Sequence, residues 1–287
     1  MFCVIPELSA AGRARRRCDN GGLMQAVSFS DGGVVVSVVS HGHGAAVRAL
    51  LQDLAALCAG NVTRVVLTLN QPGESLPFPD DQPWPFALQL RRNAQPLGFG
   101  ANHNRALAGA EEAFVCVLNP DVRLQSQAGD AMALLMAVAC RPGVGCAYPV
   151  QVDGQGRVQD SERALPTPAA LWRRRALGRA DVRVDWVNAA CLVLPRAAWQ
   201  GLGGFDERYY MYCEDVDLSL RLRLAGWRLE RAPVAVVHAG QRASRRSLAH
   251  LAWHLSSLLR LWCSPVYRRA RTLLPLDTQT ADRIGAP

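Results

Sequence analysis

The stretch VVVSVVSHGHGAAVRALLQDLAALCAGNVTRVVLTLN (Val34–Asn70) decides the fold. Its first seven residues are nearly all valine, and a short apolar run of β-branched residues ending in Ser-His-Gly reads as a strand buried on both faces. GAAVRALLQDLAALCAG follows as a helical segment, and VTRVVLTLN returns to a second strand-like run. Strand, helix and strand in this order form a βαβ unit, which predicts an α/β fold with a mainly parallel central sheet flanked by helices.

The rhythm continues outward. A Pro-rich loop leads to ALQLRRN as a strand, GANHNRALAGAEE as a helix, AFVCVLN as a strand and NPD as the loop after it. Beyond that, QAGDAMALLMAVAC reads as a helix and VGCAYPVQVDGQGRVQ as a strand with a hairpin-like return. PTPAALWRRRALGRA is a loop with a short helical piece, and VDWVNAACLVLPRAAWQGLGGFDE gives a strand, a short helix and a glycine turn. Without internal repeats or a low-complexity linker, the chain divides into a polar leader over 1–33, expected to be poorly ordered, one domain over 34–243, and a helical extension and tail over 244–287. Met24 is as acceptable a start as Met1.

Composition narrows the function. The formal charge of +8 comes from arginine alone, since lysine is absent from the 287 residues. Short clusters such as Arg173–Arg175 lack a nucleic-acid-binding motif around them, so no nucleic-acid partner is expected, and anionic lipid or a phosphorylated ligand accounts for them equally well. Nine scattered cysteines, odd in number and without CxxC spacing, suggest neither a disulfide framework nor a zinc site, and point to the reducing cytoplasm. No run reaches the roughly 18 apolar residues that propose a membrane span. SLAHLAWHLSSLLRLWCS, interrupted by His250, His254 and Arg260, reads as an amphipathic helix that packs on the domain. Its basic flanks RASRR and YRRAR keep peripheral contact with the inner face of the cytoplasmic membrane open.

In open α/β sheets ligands bind beyond the carboxyl ends of strands, which singles out SHGHG, LNQPGES and NPD. In LNPDV, Asp121 beside Asn119 can hold a hard divalent cation together with substrate phosphates, although the motif alone is better read as an ordinary Asx turn. His238 closes the strand VAVVH at the same rim, where a lone histidine is more often structural than a ligand. Gly98, with Gly100 and the Asn-rich helix entry that includes Asn104, either lets backbone N–H groups approach a phosphate or forms a tight turn and cap.

YMYCEDVDLSLRLRLAGW (Tyr210–Trp227) reads as a helix whose first turn carries Glu214, Asp215 and Asp217 and whose C-terminal cap is Gly226. Leu218 and Leu222 fall on one side and Leu220 and Leu224 about 200° away, so the helix is buried on two flanks. Asp217, four residues before Arg221, suits an ion pair, leaving Asp215 as the acid with least structural explanation.

Taken in order, SVVSHG, NAQPLGFGANHNRAL, LNPDV, GGFDERYYMYCEDVDLSLRLRLAGW and APVAVVHAG resemble the inverting family 2 glycosyltransferases of GT-A fold, particularly their rhamnosyltransferase-like branch. The similarity covers about Val34 to Ser244. It implies Asp121 and His238 as ligands of Mg2+ or Mn2+, Asp215 as catalytic base and Glu214 in support. It further implies donor contacts from Ser40, His41, Gly42, Asn70, Gly98, Asn104 and Asn119. Trp186, Asn188 and Ala189 stand where such enzymes receive the acceptor, a buried strand start being the equal alternative. The partners so implied are a nucleotide-diphosphate sugar and a glycan or lipid-linked acceptor, in cell-surface polysaccharide synthesis. One departure is Leu69, where these enzymes commonly place an acid before Asn70. A nucleotidyltransferase or a non-catalytic sugar- or nucleotide-binding relative is the alternative. An ordinary aspartate is ionised at neutral pH, so Asp215 is expected to need placement rather than an adjusted pKa.

Overall fold

The computed structural model describes residues 32–76, 78–79, 81–168, 170–172, 183–238 and 248–273. The predicted leader lies outside these residues apart from Gly32 and Gly33. The first half of the chain contains β1 (Val34–Ser40), α1 (Gly44–Leu57), β2 (Val62–Leu69), β3 (Ala87–Arg92), α2 (Phe99–Leu107), β4 (Phe114–Leu118), β5 (Val122–Leu124) and α3 (Ala131–Ala139). The second contains β6 (Val144–Val152), β7 (Glu162–Arg163), β8 (Trp186–Val187), β9 (Cys191–Pro195), α4 (Arg196–Leu202), α5 (Glu214–Leu224), β10 (Arg228–His238), α6 (Leu248–Cys263) and α7 (Pro265–Leu273).

Eight strands form one sheet in the order β3-β2-β1-β4-β9-β6-β10-β5. The half containing β3, β2, β1 and β4 is parallel throughout, as the βαβ rhythm requires. In the other half β9 runs antiparallel to both β4 and β6, and β5 runs antiparallel to β10. The hairpin-like return after β6 exists as a single antiparallel bridge between Val152 and Val158.

The valine run of β1 serves two helix layers, because successive side chains leave opposite faces of a strand. Val34, Val36 and Val38 pack with Val47, Leu50, Leu51 and Leu54 of α1 and with Met132, Leu135 and Met136 of α3. Val35 packs on the other face with Leu107 of α2, Trp199 of α4 and Leu218 and Leu222 of α5. On that face the Ser37 hydroxyl meets Nδ1 of the buried His103 at 2.8 Å.

A third cluster joins the C-terminal helices to the domain. Val216 and Leu220 of α5 and Tyr209 pack with Leu261 of α6 and with Tyr267 and Ala270 of α7, and Leu224 lies against the same cluster. The helix α5 is therefore buried on both flanks predicted from the leucine spacing, one against the sheet and one against the extension. Its ends also follow the sequence: Gly226 takes a left-handed φ of 85° after the helix, and Asp217 bonds Arg221 at 2.6 Å.

Candidate active site

Because β1, β2 and β4 are parallel, the loops after them, carrying His41, Asn70 and Asn119–Asp121, meet along one edge of the sheet. The pairing of β5 with β10 brings a fourth segment there. His238 sits in register opposite Val122, one residue beyond Asp121. As a result His238 Nε2 lies 3.4 Å from Asp121 Oδ1 although the two are far apart in sequence. Burial pushes the Asp121 carboxyl up, but hydrogen bonding and charge from His238 outweigh it and hold the carboxyl below its ordinary range.

The same edge opens into a cavity of about 540 Å3, lined by His41, His43 and Asn70 on the β1–β2 side and by Asn119, Pro120, Asp121 and His238 beside them. Asn188, Ala189 and Ala190, before β9, and Glu214 and Asp215, at the start of α5, also face it. At least one residue from each group the sequence singled out, namely Asp215, the Asp121–His238 pair, His41, Asn70 and Asn119, and Asn188 and Ala189, thus lines one space.

An unusual turn delivers Asp215. Tyr212 and Cys213 both adopt left-handed backbone, with φ of 71° and 66°. For side-chain-bearing L-residues this costs roughly 1–2 kcal/mol each, so surrounding contacts must impose it. The Phe99 N–H donates to the Tyr210 carbonyl at 2.9 Å, and the Ser257 hydroxyl donates to the Met211 carbonyl at 2.8 Å. Cys213 is buried in the cluster shared with α6 and α7. Gly98 is required by this arrangement: a Cβ there would stand 2.6 Å from the Tyr210 oxygen.

The acids of α5 differ in surroundings. Glu214 is buried with its Oε2 lacking a hydrogen-bond partner among the described residues, and burial together with the Asp215 charge raises its pKa. A neutral carboxyl is the form that suits such a place. Asp215 faces the cavity, and burial pushes its pKa up to about 6, opposed by the Val216 N–H and by Arg163. Its environment is therefore adjusted as well as its position, contrary to the expectation of an ordinary carboxylate.

Other predicted residues lie elsewhere. Ser40 is fully buried and bonds the Glu74 carboxylate, which also accepts from the Gly42 N–H at 3.0 Å; neither Ser40 nor Gly42 lines the cavity. Asn104 stands outside it as well, with its amide clamping the backbone N–H and carbonyl of Phe205 at 2.8 Å each. Trp186 is buried with its indole N–H donating to the Ala164 carbonyl at 2.9 Å, under the Arg163 guanidinium. Gly98 supports the Tyr210 turn and Asn70 holds Leu97 through both its backbone groups, at 3.0 and 2.9 Å.

Several lining residues escaped the sequence reading. His43 sat in plain view within SHGHG, and Tyr210 and Tyr212 were quoted within the motif before the acids without a role of their own. His250 and Trp253 come from α6, part of the extension. The sole signal for them was the polar interruption of an otherwise apolar helix.

A divalent cation fits this edge in a limited way. Among the described residues no group of three or more His, Cys, Asp or Glu side chains gathers as a metal cage. The Asp121–His238 pair is close enough to share one cation, and a pair of protein ligands is what a cation completed by substrate phosphates needs. Among the described residues His238 Nδ1 is buried and has no hydrogen-bond partner to fix the ring.

No family model matches the chain. It is 34% identical over 224 residues to N-acetylglucosaminyl-diphospho-decaprenol L-rhamnosyltransferase of Mycobacterium tuberculosis, a match covering 67% of this chain and 72% of that protein. It is 27% identical over 256 residues to rhamnosyltransferase WbbL of Escherichia coli, covering 79% and 91%. Among solved structures it is similar to the mannosyltransferase PcManGT of Pyrobaculum calidifontis, in complex with GDP-Man and Mn2+, with a TM-score of 0.58, 18% identity and coverage of 85% and 75%. S. aureus TarS 1-349 in complex with UDP-GlcNAc gives a TM-score of 0.52 at 14% identity, covering 81% of this chain and 67% of that one. These structures share its GT-A fold. With the order of motifs, the sheet and the extent of the sequence match all agreeing, the chain belongs to the rhamnosyltransferase-like branch of the family 2 glycosyltransferases.

Proposed function

We propose that this glycosyltransferase moves a sugar, with rhamnose the first candidate, from a nucleotide-diphosphate donor to a lipid-linked or glycan acceptor in cell-surface polysaccharide synthesis, with inversion. The observation that carries this is the sharing of one cavity by Asp215 and the Asp121–His238 pair. The names of the M. tuberculosis and E. coli relatives support rhamnosyl transfer, and the former supports a diphospho-lipid acceptor.

Asp215, ionised above about pH 6, takes the proton of the incoming hydroxyl. Asp121 and His238 would hold Mg2+ or Mn2+, which when bound would offset the charge developing on the leaving diphosphate. Asn119 and Pro120 shape the turn that presents Asp121. His41 and Asn70 border the donor side, and Asn188 and Ala189 the acceptor side. Glu214, adjacent in the chain and buried, supports the start of the helix that carries the base, its own carboxyl held towards the neutral form by burial and by the Asp215 charge.

Contact with the cytoplasmic face of the membrane is also proposed. Among the described residues no helix is long and apolar enough to cross a bilayer. α6 instead exposes Leu251, Leu255 and Leu259, each more than half accessible, while Arg268, Arg269 and Arg271 of α7 are exposed nearby in sequence. Leucines four apart with basic neighbours suit an anionic interface.

The test is a panel of nucleotide sugars with and without Mn2+, read by thermal shift, followed by transfer assays. A true donor stabilises strongly and only with metal. Metal-independent or absent stabilisation across the panel counts against the reading.

A further inference from the structure

The helix α6 belongs to the C-terminal extension, yet His250 and Trp253 face the same cavity as Asp215. They meet Tyr210 and Tyr212, which lie on the turn that delivers the base. The Tyr210 and Trp253 rings have centroids 5.0 Å apart and are tilted by 47°. His250 stands edge-on to Trp253 at 5.0 Å, and its Nδ1 shares a 2.8 Å hydrogen bond with the Tyr212 hydroxyl.

This cluster is not core packing. Trp199 and Tyr209, which do pack the interior, are 5% and 1% exposed, whereas Tyr210 keeps 38% of its surface open. Aromatic rings left partly open at a cavity wall gain from being covered, and they suit ligands with one apolar face and a polar rim. A pyranose is such a ligand, with C–H bonds on its faces and hydroxyls at its edge.

Two sugars must enter this cavity, and the chain position of the rings selects between them. The donor diphosphate is assigned to Asp121, on the loop after β4, and His238, the last residue of β10. Tyr210 and Tyr212 instead immediately precede Glu214 and Asp215. Both tyrosines line the cavity that Asp215 faces, so a ring seated against them shares that space with the base.

We propose that Tyr210 and Trp253 form a stacking platform for the acceptor pyranose, with Tyr212 and His250 fixing that platform to the turn that carries Asp215. The proposal rests on the reading of Asp215 as the base in sugar transfer. It assigns α6 a share of the active site, as the element that selects the acceptor.

The probe is a soluble short-chain N-acetylglucosaminyl diphosphate lipid, matching the acceptor type in the name of the M. tuberculosis relative. Two readouts are paired: acceptor and donor KM in transfer, and saturation-transfer NMR of the probe without donor. Trp253→Ala and Tyr210→Ala should each raise acceptor KM about tenfold, the equivalent of roughly 1.4 kcal/mol, and leave donor KM unchanged. Both should also lose saturation at the probe's ring C–H protons, and Trp253→Phe should restore it. Unchanged probe binding and acceptor KM in both alanine variants, or no saturation of the probe by wild type, overturns the platform. Full transfer by Asp215→Asn instead removes the reading of the base, an outcome recognisable on its own.

Discussion

Tyr212 and His250 share a hydrogen bond of 2.8 Å that ties the turn before α5 to the C-terminal helix α6. The bond sits on one of the two residues held in left-handed backbone, so it helps impose a conformation the chain would not choose alone. His250→Ala is expected to lower stability by about 1 kcal/mol, a fall of roughly 2–4 °C in Tm for a chain near this size. It should also reduce kcat several-fold without changing donor affinity. Melting curves and steady-state kinetics check both, and an unaltered kcat would show that the turn is held without this bond.

Asp215→Asn removes the proposed base while keeping its shape, and transfer should drop by about 10²- to 10⁴-fold. Its stability should move the other way. Burial raises the wild-type pKa from 3.8 to about 6, so the native state is penalised once the carboxyl ionises. The asparagine variant should therefore be more stable by an amount on the order of 1–3 kcal/mol above about pH 6. That gain should fade as pH falls towards 3.8. Correspondingly, wild-type kcat/KM should decline tenfold per pH unit on the acid side of about 6. Denaturation as a function of pH, alongside a pH–rate profile, reads both effects.

Asp121→Ala and His238→Ala should each abolish the Mn2+-dependent part of nucleotide-sugar stabilisation, and chelation of wild type should reproduce the loss. Thermal shift with donor, metal and chelator separates these conditions. A metal-dependent shift persisting in both variants would move the cation elsewhere.

Gly98→Ala tests packing at the turn. Gly98 has an ordinary φ of −64°, so backbone strain is not the issue. The added methyl would lie 2.6 Å from the Tyr210 oxygen and must displace it. A loss of about 1–3 kcal/mol is expected, with a larger effect on kcat than on donor binding, as measured by denaturant titration and kinetics.

Replacing Leu251, Leu255 and Leu259 together by glutamine should weaken sedimentation with vesicles rich in anionic phospholipid. Neutral vesicles should bind both proteins weakly, since the arginines then lack a partner. Transfer to a water-soluble acceptor should be retained. Equal sedimentation of variant and wild type would exclude the leucine stripe as the contact.

Much of this arrangement was legible in the sequence. Period and composition were enough for β1, α1 and β2, and the leucine spacing anticipated both flanks of α5. Asp121, Asp215 and His238 stood out at strand ends and a helix start because those are visible as pattern changes, but only the family resemblance gave them roles. What lay hidden depends on tertiary contact. Nothing in YMYC marks two left-handed residues, since neither is glycine or asparagine and the conformation is imposed by α2 and α6. The raised pKa of Asp215 reflects burial that only the folded chain creates. Trp186 and Asn104 matched expected positions but spend their polar atoms on neighbouring backbone. His250 and Trp253 were read with their helix as packing because a spacing argument cannot say which loop a helix will face.

The cluster of Tyr209, Val216 and Leu220 with Leu261, Tyr267 and Ala270 crosses the boundary drawn at 243/244. A chain shortened at that boundary would lose one wall of the helix that mounts Asp215, not merely an appendage. Grafting the C-terminal segment from a relative would therefore exchange a cavity wall, through His250 and Trp253, and a folding interface together.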